Sequence, residues 1–210
     1  MELLQDLIDL FVHLDQYLSS FVQAYGSWVY ALLFLVIFAE TGLVIMPFLP
    51  GDSLLFVAGT LAGVAAMDVW LLTPLLILAA ILGDNTNYWI GRFFGKRLSH
   101  SRLVKPEYLE KTRLFYQRHG GKAVIFARFF PILRTFAPFV AGIGQMRYRR
   151  FLSFSVIGAL AWVGSFVLSG YFFGNIPAVK DNLMLLIVGI IVISLLPALR
   201  ELIRYRKSTA

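Results

Sequence analysis

The apolar residues of this chain come in long runs that are separated by short polar breaks. One run extends from Trp28 to Ala66, about twice the length of a single membrane-spanning helix. Its interruptions are Glu40 and a proline-containing break at residues 47–52. A hairpin that enters a membrane and returns fits this pattern better than one straight helix. We therefore predict a first re-entrant hairpin at residues 27–67.

Three other apolar segments have the length of a membrane-spanning helix. A helix of about 20 residues is about 30 Å long, which matches the hydrocarbon core of a bilayer. Such segments occur at residues 70–91, 150–173 and 183–199, and we predict a transmembrane helix at each. At residues 1–26, leucines recur at helical spacing among aspartates. This pattern predicts an N-terminal helix that lies in the membrane interface.

A shorter apolar segment, residues 123–146, begins and ends beside basic residues and contains Pro131 and Pro138. Proline removes an amide donor and clashes with the preceding turn, so each of the two should interrupt a helix. The segment is too short to cross the membrane twice, yet both of its ends lie on one side. We therefore predict a second re-entrant hairpin, broken at these prolines as the first is broken near Pro50 and Gly51.

The order of these elements predicts an all-α integral membrane protein with an inverted repeat. In each half a broken hairpin is followed by a crossing helix, first from the outside and then from the cytoplasmic side. Transporters of this design place their binding site near the middle of the membrane, where interrupted helices of the two halves face each other. Non-helical backbone survives at that depth only inside protein or beside a water-filled cavity.

Composition and charge agree with this architecture. Of the 210 residues, 59% are hydrophobic and 15% are charged, which is far more apolar than an ordinary soluble domain. Every Lys and Arg lies at or after Arg92, and basic residues beside spans mark the cytoplasmic face. The loop 92–122 and the tail 200–210 are therefore predicted to be cytoplasmic. Their charges serve orientation and contact with anionic lipids, so we expect no nucleic-acid partner.

Four ionisable residues lie in the two interrupted segments, namely Glu40, Asp52, Arg128 and Arg134. An isolated charge in hydrocarbon is costly, so such residues pair with one another, face water or have a function. One interpretation is a salt-bridge cluster that only pins the hairpins. A second interpretation is a transport site, in which arginine binds phosphate and a carboxylate that has left water takes up and releases a proton. A third alternative makes Arg128 a simple anchor at the cytoplasmic surface.

A polar cluster, Gly83–Arg92, occupies the cytoplasmic half of the predicted helix 70–91. Within it Asp84 is a candidate proton relay residue, since an ionisable side chain inside a membrane span marks a functional site. The structural alternative is that Asp84 and Asn87 cap or bond a neighbouring hairpin. Both interpretations stay open at the level of sequence.

One small-residue motif, Gly59-x-x-x-Gly63, lies on the second arm of the first hairpin. Small residues at this spacing allow two helices to approach closely. The contact can form within one chain or between two copies, so a homo-oligomer stays open beside ordinary packing.

No group of residues has the spacing of an enzyme active site. The three histidines, His13, His100 and His119, lie outside both interrupted segments, whereas a lipid phosphatase would need a nucleophilic histidine near arginine. No Ser–His pair and no paired intramembrane aspartates occur at a suitable spacing, and cysteine is absent. We expect no enzymatic activity, no cofactor and no metal site.

Several longer motifs resemble those of a known family. They are Glu40-Thr-Gly with Phe48-Leu-Pro-Gly-Asp-Ser53, Gly83-Asp-x-x-Asn-Tyr88 with Gly91-Arg92-x-x-Gly95, Arg128-Phe-x-Pro131-x-x-Arg134-Thr-Phe-Ala-Pro138-x-x-Ala-Gly142, and Gly158-Ala-Leu-x-Trp162. Together they resemble the DedA family, also called the SNARE-associated or VTT-domain family, over nearly the whole chain.

The resemblance implies a multi-pass protein of the bacterial inner membrane with two facing re-entrant hairpins. It also implies a role in envelope maintenance, cell division and proton-motive-force homeostasis. Some bacterial members are described as returning the carrier lipid undecaprenyl phosphate across the membrane, and eukaryotic relatives as scrambling phospholipids. In the family, the acidic residues matching Glu40 and Asp52 and the arginines matching Arg128 and Arg134 are regarded as essential.

We therefore expect a proton-linked carrier of a lipid phosphate whose partners are membrane lipids and protons. Arg128 and Arg134 would bind the phosphate, and Glu40 and Asp52 would carry protons or gate the site. Six residues are expected to support them: Asp84, Asn87, Pro50, Gly51, Pro131 and Pro138. Two alternatives stay open, gradient-independent scrambling of phospholipids and a scaffold for envelope proteins without transport.

Overall fold

The computed structural model describes residues 24–43, 51–99 and 122–173, together with residues 20, 22, 176 and 177. Within these ranges the chain forms helices and no strand. They are α1 (Trp28–Gly42), α2 (Gly51–Gly63), α3 (Val69–Ser99), α4 (Lys122–Ala127), α5 (Pro131–Ile143) and α6 (Tyr148–Phe173). The predictions for the interfacial helix, the break at Pro50, most of the basic loop, the helix 183–199 and the tail lie outside the described residues.

Two of these helices are long and apolar enough to span a membrane. The spans are Val69–Phe94 in α3 and Tyr148–Phe173, which is the whole of α6, and each has 26 residues. Their length and composition support the predicted transmembrane segments 70–91 and 150–173.

Helix α3 is longer than its apolar part. It begins at Val69 because Asp68 caps it, accepting a hydrogen bond of 2.8 Å from the backbone amide of Trp70. It continues to Ser99, so residues 92–99, which we predicted as the start of the cytoplasmic loop, are helical instead. Polarity ends the apolar stretch, whereas lysine, arginine and leucine favour a helix and let it continue.

The segment predicted as the second hairpin contains one break rather than two. Helix α4 ends at Ala127, and α5 begins at Pro131. Proline is favourable at the first position of a helix, because the amide hydrogen that it lacks would have no partner within the helix there. Phe130 precedes it with φ −120° and ψ 113°, the extended backbone that a following proline favours.

The second predicted break was wrong, because α5 continues through Pro138 to Ile143. Pro138 is buried, and its packing offsets the lost backbone bond. The re-entrant arrangement of either hairpin stays a prediction.

The described residues divide into two compact units. The first unit contains residues 24–35, 51–76 and 163–173, and the second contains residues 36–43, together with most of the chain between 77 and 162. Helices α1, α3 and α6 each contribute residues to both units.

In the first unit, glycines bring the backbones of α2 and α6 into direct contact. A Cβ atom on Gly59 of α2 would overlap the carbonyl of Val167, and one on Gly170 of α6 would overlap the carbonyl of Phe56. Gly59 therefore packs within the chain, as one of the two readings of its motif predicted, while Gly63 is exposed.

In the second unit, glycines bring α3 and α5 equally close. A Cβ atom on Gly91 would overlap the carbonyl of Phe139, and one on Gly142 would overlap the carbonyl of Tyr88. The Tyr88 ring stacks on Phe151 at 4.4 Å, and its hydroxyl donates a hydrogen bond of 2.5 Å to the carbonyl of Met146. These contacts fix α3 against α5 and the start of α6.

We expect Gly91→Ala to lower the thermal unfolding midpoint of the purified protein in detergent, because the added methyl group has no room beside Phe139. Overpacking of this kind costs about 1–3 kcal/mol. The matched control is Gly164→Ala, since a Cβ atom on Gly164 meets no atom within 4 Å. Differential scanning fluorimetry of both variants checks this, and equal midpoints would contradict the close approach of α3 and α5.

Candidate functional site

Four charged side chains are buried in the second unit, and each comes from a different segment. Glu40 comes from α1, Asp84 from α3, Arg128 from the turn between α4 and α5, and Arg134 from the first turns of α5. All four are at most 2% exposed. A charge buried this deeply needs an opposite charge and hydrogen bonds. The four segments therefore pack so that each buried arginine lies beside a buried carboxylate.

Arg128 pairs with Asp84 through one nitrogen and one oxygen. Its Nη2 donates to Asp84 Oδ2, and Ser155 on α6 donates to the same oxygen at 2.6 Å. Asp84 Oδ1 makes no hydrogen bond with the described residues, and neither do Arg128 Nε and Nη1. The pair thus leaves one carboxylate oxygen and most of the guanidinium donors open.

Arg134 pairs with Glu40 and also contacts an aromatic ring. Its guanidinium donates to Glu40 Oε1, and the guanidinium carbon lies 4.4 Å from the centre of the Trp162 ring. Arg128 approaches the same ring at 5.9 Å. At 4.4 Å the cation–π attraction adds to the ion pair, so Arg134 is held from two sides.

One face of α6 receives both arginines. Ser155, Gly158 and Trp162 are spaced by three and four positions, so they lie on the same side of the helix. A Cβ atom on Gly158 would lie 3.1 Å from Cδ and Nε of Arg128. Glycine therefore leaves room for the arginine, while serine and tryptophan supply a hydrogen bond and a ring.

Asn87 holds three helices together at their backbones. Its amide nitrogen donates to the carbonyl of Thr41 on α1 at 3.2 Å and to that of Thr135 on α5 at 2.6 Å. Nearby, a Cβ atom on Gly83 would overlap the Thr41 side chain, so α1 and α3 are in close contact. Asn87 thus bonds neighbouring segments, as the structural alternative predicted.

Of the four charged residues that the sequence singled out, three belong to the second unit and one belongs to the first. Glu40, Arg128 and Arg134 lie in the second unit, while Asp52 lies in the first unit, where it is buried at the start of α2 beside Gly51. The partner of Arg128 is Asp84, which the sequence analysis named as a candidate proton relay and a supporting residue but not as this partner. Arg128 is 2% exposed and paired with Asp84, so it is more than a simple anchor; its position relative to the cytoplasmic surface stays a prediction.

The sequence reasoning missed the contribution of α6. Ser155 was not considered, and Gly158 and Trp162 entered only as part of a motif. A signal was available, because a small polar residue, a glycine and a tryptophan recur at helical spacing on an otherwise apolar helix. Its meaning depended on knowing that arginines would pack against that face.

The chemistry of these residues suits an anion better than a metal. The four charges cancel when all are ionised, and Nε and Nη1 of Arg128 are donors that no described acceptor satisfies, a chemistry that suits an oxyanion. Within the described ranges, no group of three or more His, Asp or Glu side chains could hold a metal ion.

Comparison with known proteins identifies the family. The sequence profile of the VTT domain matches residues 49–172, which is more than half of the chain. The chain belongs to the VTT-domain, or DedA, family. This finding confirms the resemblance that the motifs indicated.

Similar members of the DedA family extend over most of the chain. Protein DedA of Escherichia coli (strain K12) is 56% identical over 215 residues, which cover 100% of this chain and 98% of that protein. An uncharacterized membrane protein of Mycobacterium leprae (strain TN) is 44% identical over 78% of this chain and 75% of its own length. Inner membrane protein YghB of E. coli (strain K12) is 33% identical over 88% of this chain and 89% of its own length. No solved structure gives a significant match.

The names of these relatives agree with the apolar helices of the chain. Two are named as membrane or inner membrane proteins, and α3 and α6 each contain an apolar span of 26 residues. We conclude that the chain is a membrane protein of the DedA family.

Glu40→Gln and Arg134→Met are each expected to destabilise this DedA-family protein, because each leaves the partner charge buried. Removing one partner of a buried pair costs about 3–5 kcal/mol. The double variant should lose less than the sum of the two losses, since the charges then disappear together. Thermal unfolding of the four proteins in detergent measures this coupling.

Asp68→Asn is the control for this cycle, because Asp68 is exposed and asparagine also caps helices. We expect it to change stability by less than about 0.5 kcal/mol. Strictly additive losses at Glu40 and Arg134 would contradict a direct interaction between them.

Proposed function

We propose that this DedA-family protein carries a lipid phosphate, of the kind represented by undecaprenyl phosphate, across the bacterial inner membrane in a proton-linked step. The observation that carries the proposal is the buried Arg128, whose Nε and Nη1 have no hydrogen-bond partner among the described residues. Unmade hydrogen bonds of a buried guanidinium are costly, and an incoming phosphate would complete them.

Arginine suits this substrate because of its shape and charge. The guanidinium is planar, stays charged and offers donors in a fork that fits phosphate oxygens. Arg134 lies within the same unit, so a phosphate bound at Arg128 would also feel its charge. We assign substrate binding to Arg128 and Arg134, as the sequence analysis predicted.

The surroundings of the arginines suit the apolar part of a lipid. Large apolar side chains on α4, α5 and the turn between them are exposed, namely Phe126, Phe129, Leu133 and Phe136. In a membrane protein such side chains face hydrocarbon. These side chains are neighbours of Arg128 and Arg134 in the sequence. A lipid whose chain lies against them could present its phosphate to the arginines, which favours a lipid phosphate over a soluble anion.

Carboxylates supply the proton link in this proposal. Glu40 is fully buried and Asp52 is 9% exposed, and an ionisable side chain in the interior of a membrane protein is a candidate functional group. We assign proton coupling to Glu40 and Asp52. The carrier would support envelope integrity and cell division, with the C-terminus on the cytoplasmic side.

The test is the movement of labelled undecaprenyl phosphate between leaflets of proteoliposomes, with and without an imposed pH gradient. We expect the unmodified protein to move the lipid only with the gradient. Arg134→Ala should slow movement about tenfold or more, because it removes charge-assisted hydrogen bonds and the partner of Glu40. Arg149→Ala is the matched control and should keep full activity, since Arg149 is exposed on α6.

Other outcomes would replace the proposal by one of its alternatives. Gradient-independent movement of phospholipids in the same vesicles would indicate scrambling. If neither lipid moves, a scaffold would remain, provided that Arg134→Ala inserts normally and keeps its function in cells. Release of inorganic phosphate from the labelled lipid would contradict our expectation that the protein is not an enzyme.

A further inference from the structure

We propose that Asp84 takes up one proton when a phosphate binds to Arg128, so that this ion pair adds a proton-dependent binding step to the site. The inference rests on the proposed function, which assigned proton coupling to Glu40 and Asp52 and gave Asp84 no such part. In the proposed step a proton from water bonds to Asp84 Oδ1 as the phosphate oxygens accept from Arg128. The proton and the phosphate are then released together.

The pair leaves unused hydrogen-bonding atoms for each of the two ligands. Asp84 Oδ2 accepts from Arg128 Nη2 and from Ser155, whereas Oδ1 is buried and accepts nothing from the described residues. A proton can therefore add to Oδ1 without displacing a hydrogen-bond donor. On Arg128, Nε and Nη1 are the open donors, so a phosphate can bind without first displacing Asp84.

Charge balance makes the two events depend on each other. The two arginines and two carboxylates cancel, so a phosphate adds uncompensated negative charge to a buried site. Protonation of one carboxylate removes one negative charge and restores part of the balance. Asp84 is the carboxylate nearest to the new charge, because it shares Arg128 with the phosphate.

The second ion pair differs in degree, because Glu40 Oε2 and Arg134 Nε also make no hydrogen bond with the described residues, but only one guanidinium nitrogen is open instead of two. Arg134 is bound by Glu40 and lies on the Trp162 ring at 4.4 Å, so a phosphate there would compete with two contacts. This pair also holds α1 against α5.

The charged groups that face Asp84 come from every segment packed around it. Arg128 comes from the turn before α5, and Arg134 from α5 also attracts the carboxylate. Helix α1, which packs on Gly83, carries Glu40, and Glu40 is bound to Arg134. Helix α6 contributes the uncharged Ser155. Two nitrogens of Arg128 but only one of Arg134 make no hydrogen bond with the described residues. Asp84 is therefore paired with the arginine that has more open donors.

The experiment is calorimetric titration of the full-length protein in detergent with geranyl phosphate, a short polyprenyl phosphate. Repeating it in two buffers with different ionisation enthalpies counts the protons taken up on binding. Because a phosphate monoester itself titrates near pH 6, geranyl methyl phosphate, a diester with no such proton, is the second probe. We expect uptake of about one proton with the diester, and an affinity that falls up to about tenfold per pH unit in the alkaline range.

Asp84→Asn should bind the diester with no proton uptake and with an affinity independent of pH, because asparagine resembles the protonated acid. Asp68→Asn is the matched control and should keep the uptake, since Asp68 is exposed. Should Asp84→Asn fail to fold, Ser155→Ala is the second variant. It removes a hydrogen bond to the ionised carboxylate, so the pH dependence should move to higher pH with the same slope.

The outcomes separate this inference from the proposed function. Proton uptake that persists in Asp84→Asn, or is lost in Asp68→Asn, would overturn it, as would a Ser155→Ala profile identical to that of the unmodified protein. The inference would also be overturned if neither of the two probes bound to the protein. Failure of the vesicle assay alone would remove the transport proposal, while Asp84-dependent proton uptake on binding would still stand.

Discussion

A charge that leaves water must be balanced, and the interior of the second unit depends on this constraint. Two guanidiniums and two carboxylates lie there at no more than 2% exposure, and they pair as Arg128 with Asp84 and Arg134 with Glu40. Removing one charge leaves another uncompensated in a low-dielectric interior. The helices that carry these residues therefore stabilise one another through the pairs, and the same pairs place open donors where an anion could bind.

Close helix packing is what allows the charges to meet. Glycines on α3 and α5 let the two backbones touch at Gly91 and Gly142, and Gly83 does the same between α3 and α1. Gly158 on α6 leaves space that Arg128 fills. Side chains at these positions would force the segments apart, and the short reach of an aspartate such as Asp84 would no longer bridge the gap.

Much of the helical architecture could be predicted from the sequence, although its limits could not. The segments around α3 and α6 were predicted from apolar length, and the break before Pro131 from proline chemistry. The same proline rule failed at Pro138, because burial holds α5 together across it. The end of α3 at Ser99 was missed because hydropathy marks where a helix becomes polar, and a polar helix can continue.

The sequence by itself determined the helical class, the family and which ionisable residues lie among apolar ones, since these follow from run length, composition and motif. The tertiary structure decided which acid meets which arginine. Arg128 and Asp84 are 44 positions apart in the sequence, and Arg134 and Glu40 are 94 positions apart. No local pattern predicts which acid will contact which arginine. Asp84 was therefore recognised as polar but not as the partner of Arg128, and Ser155 was not singled out until α6 was seen packed against both guanidiniums.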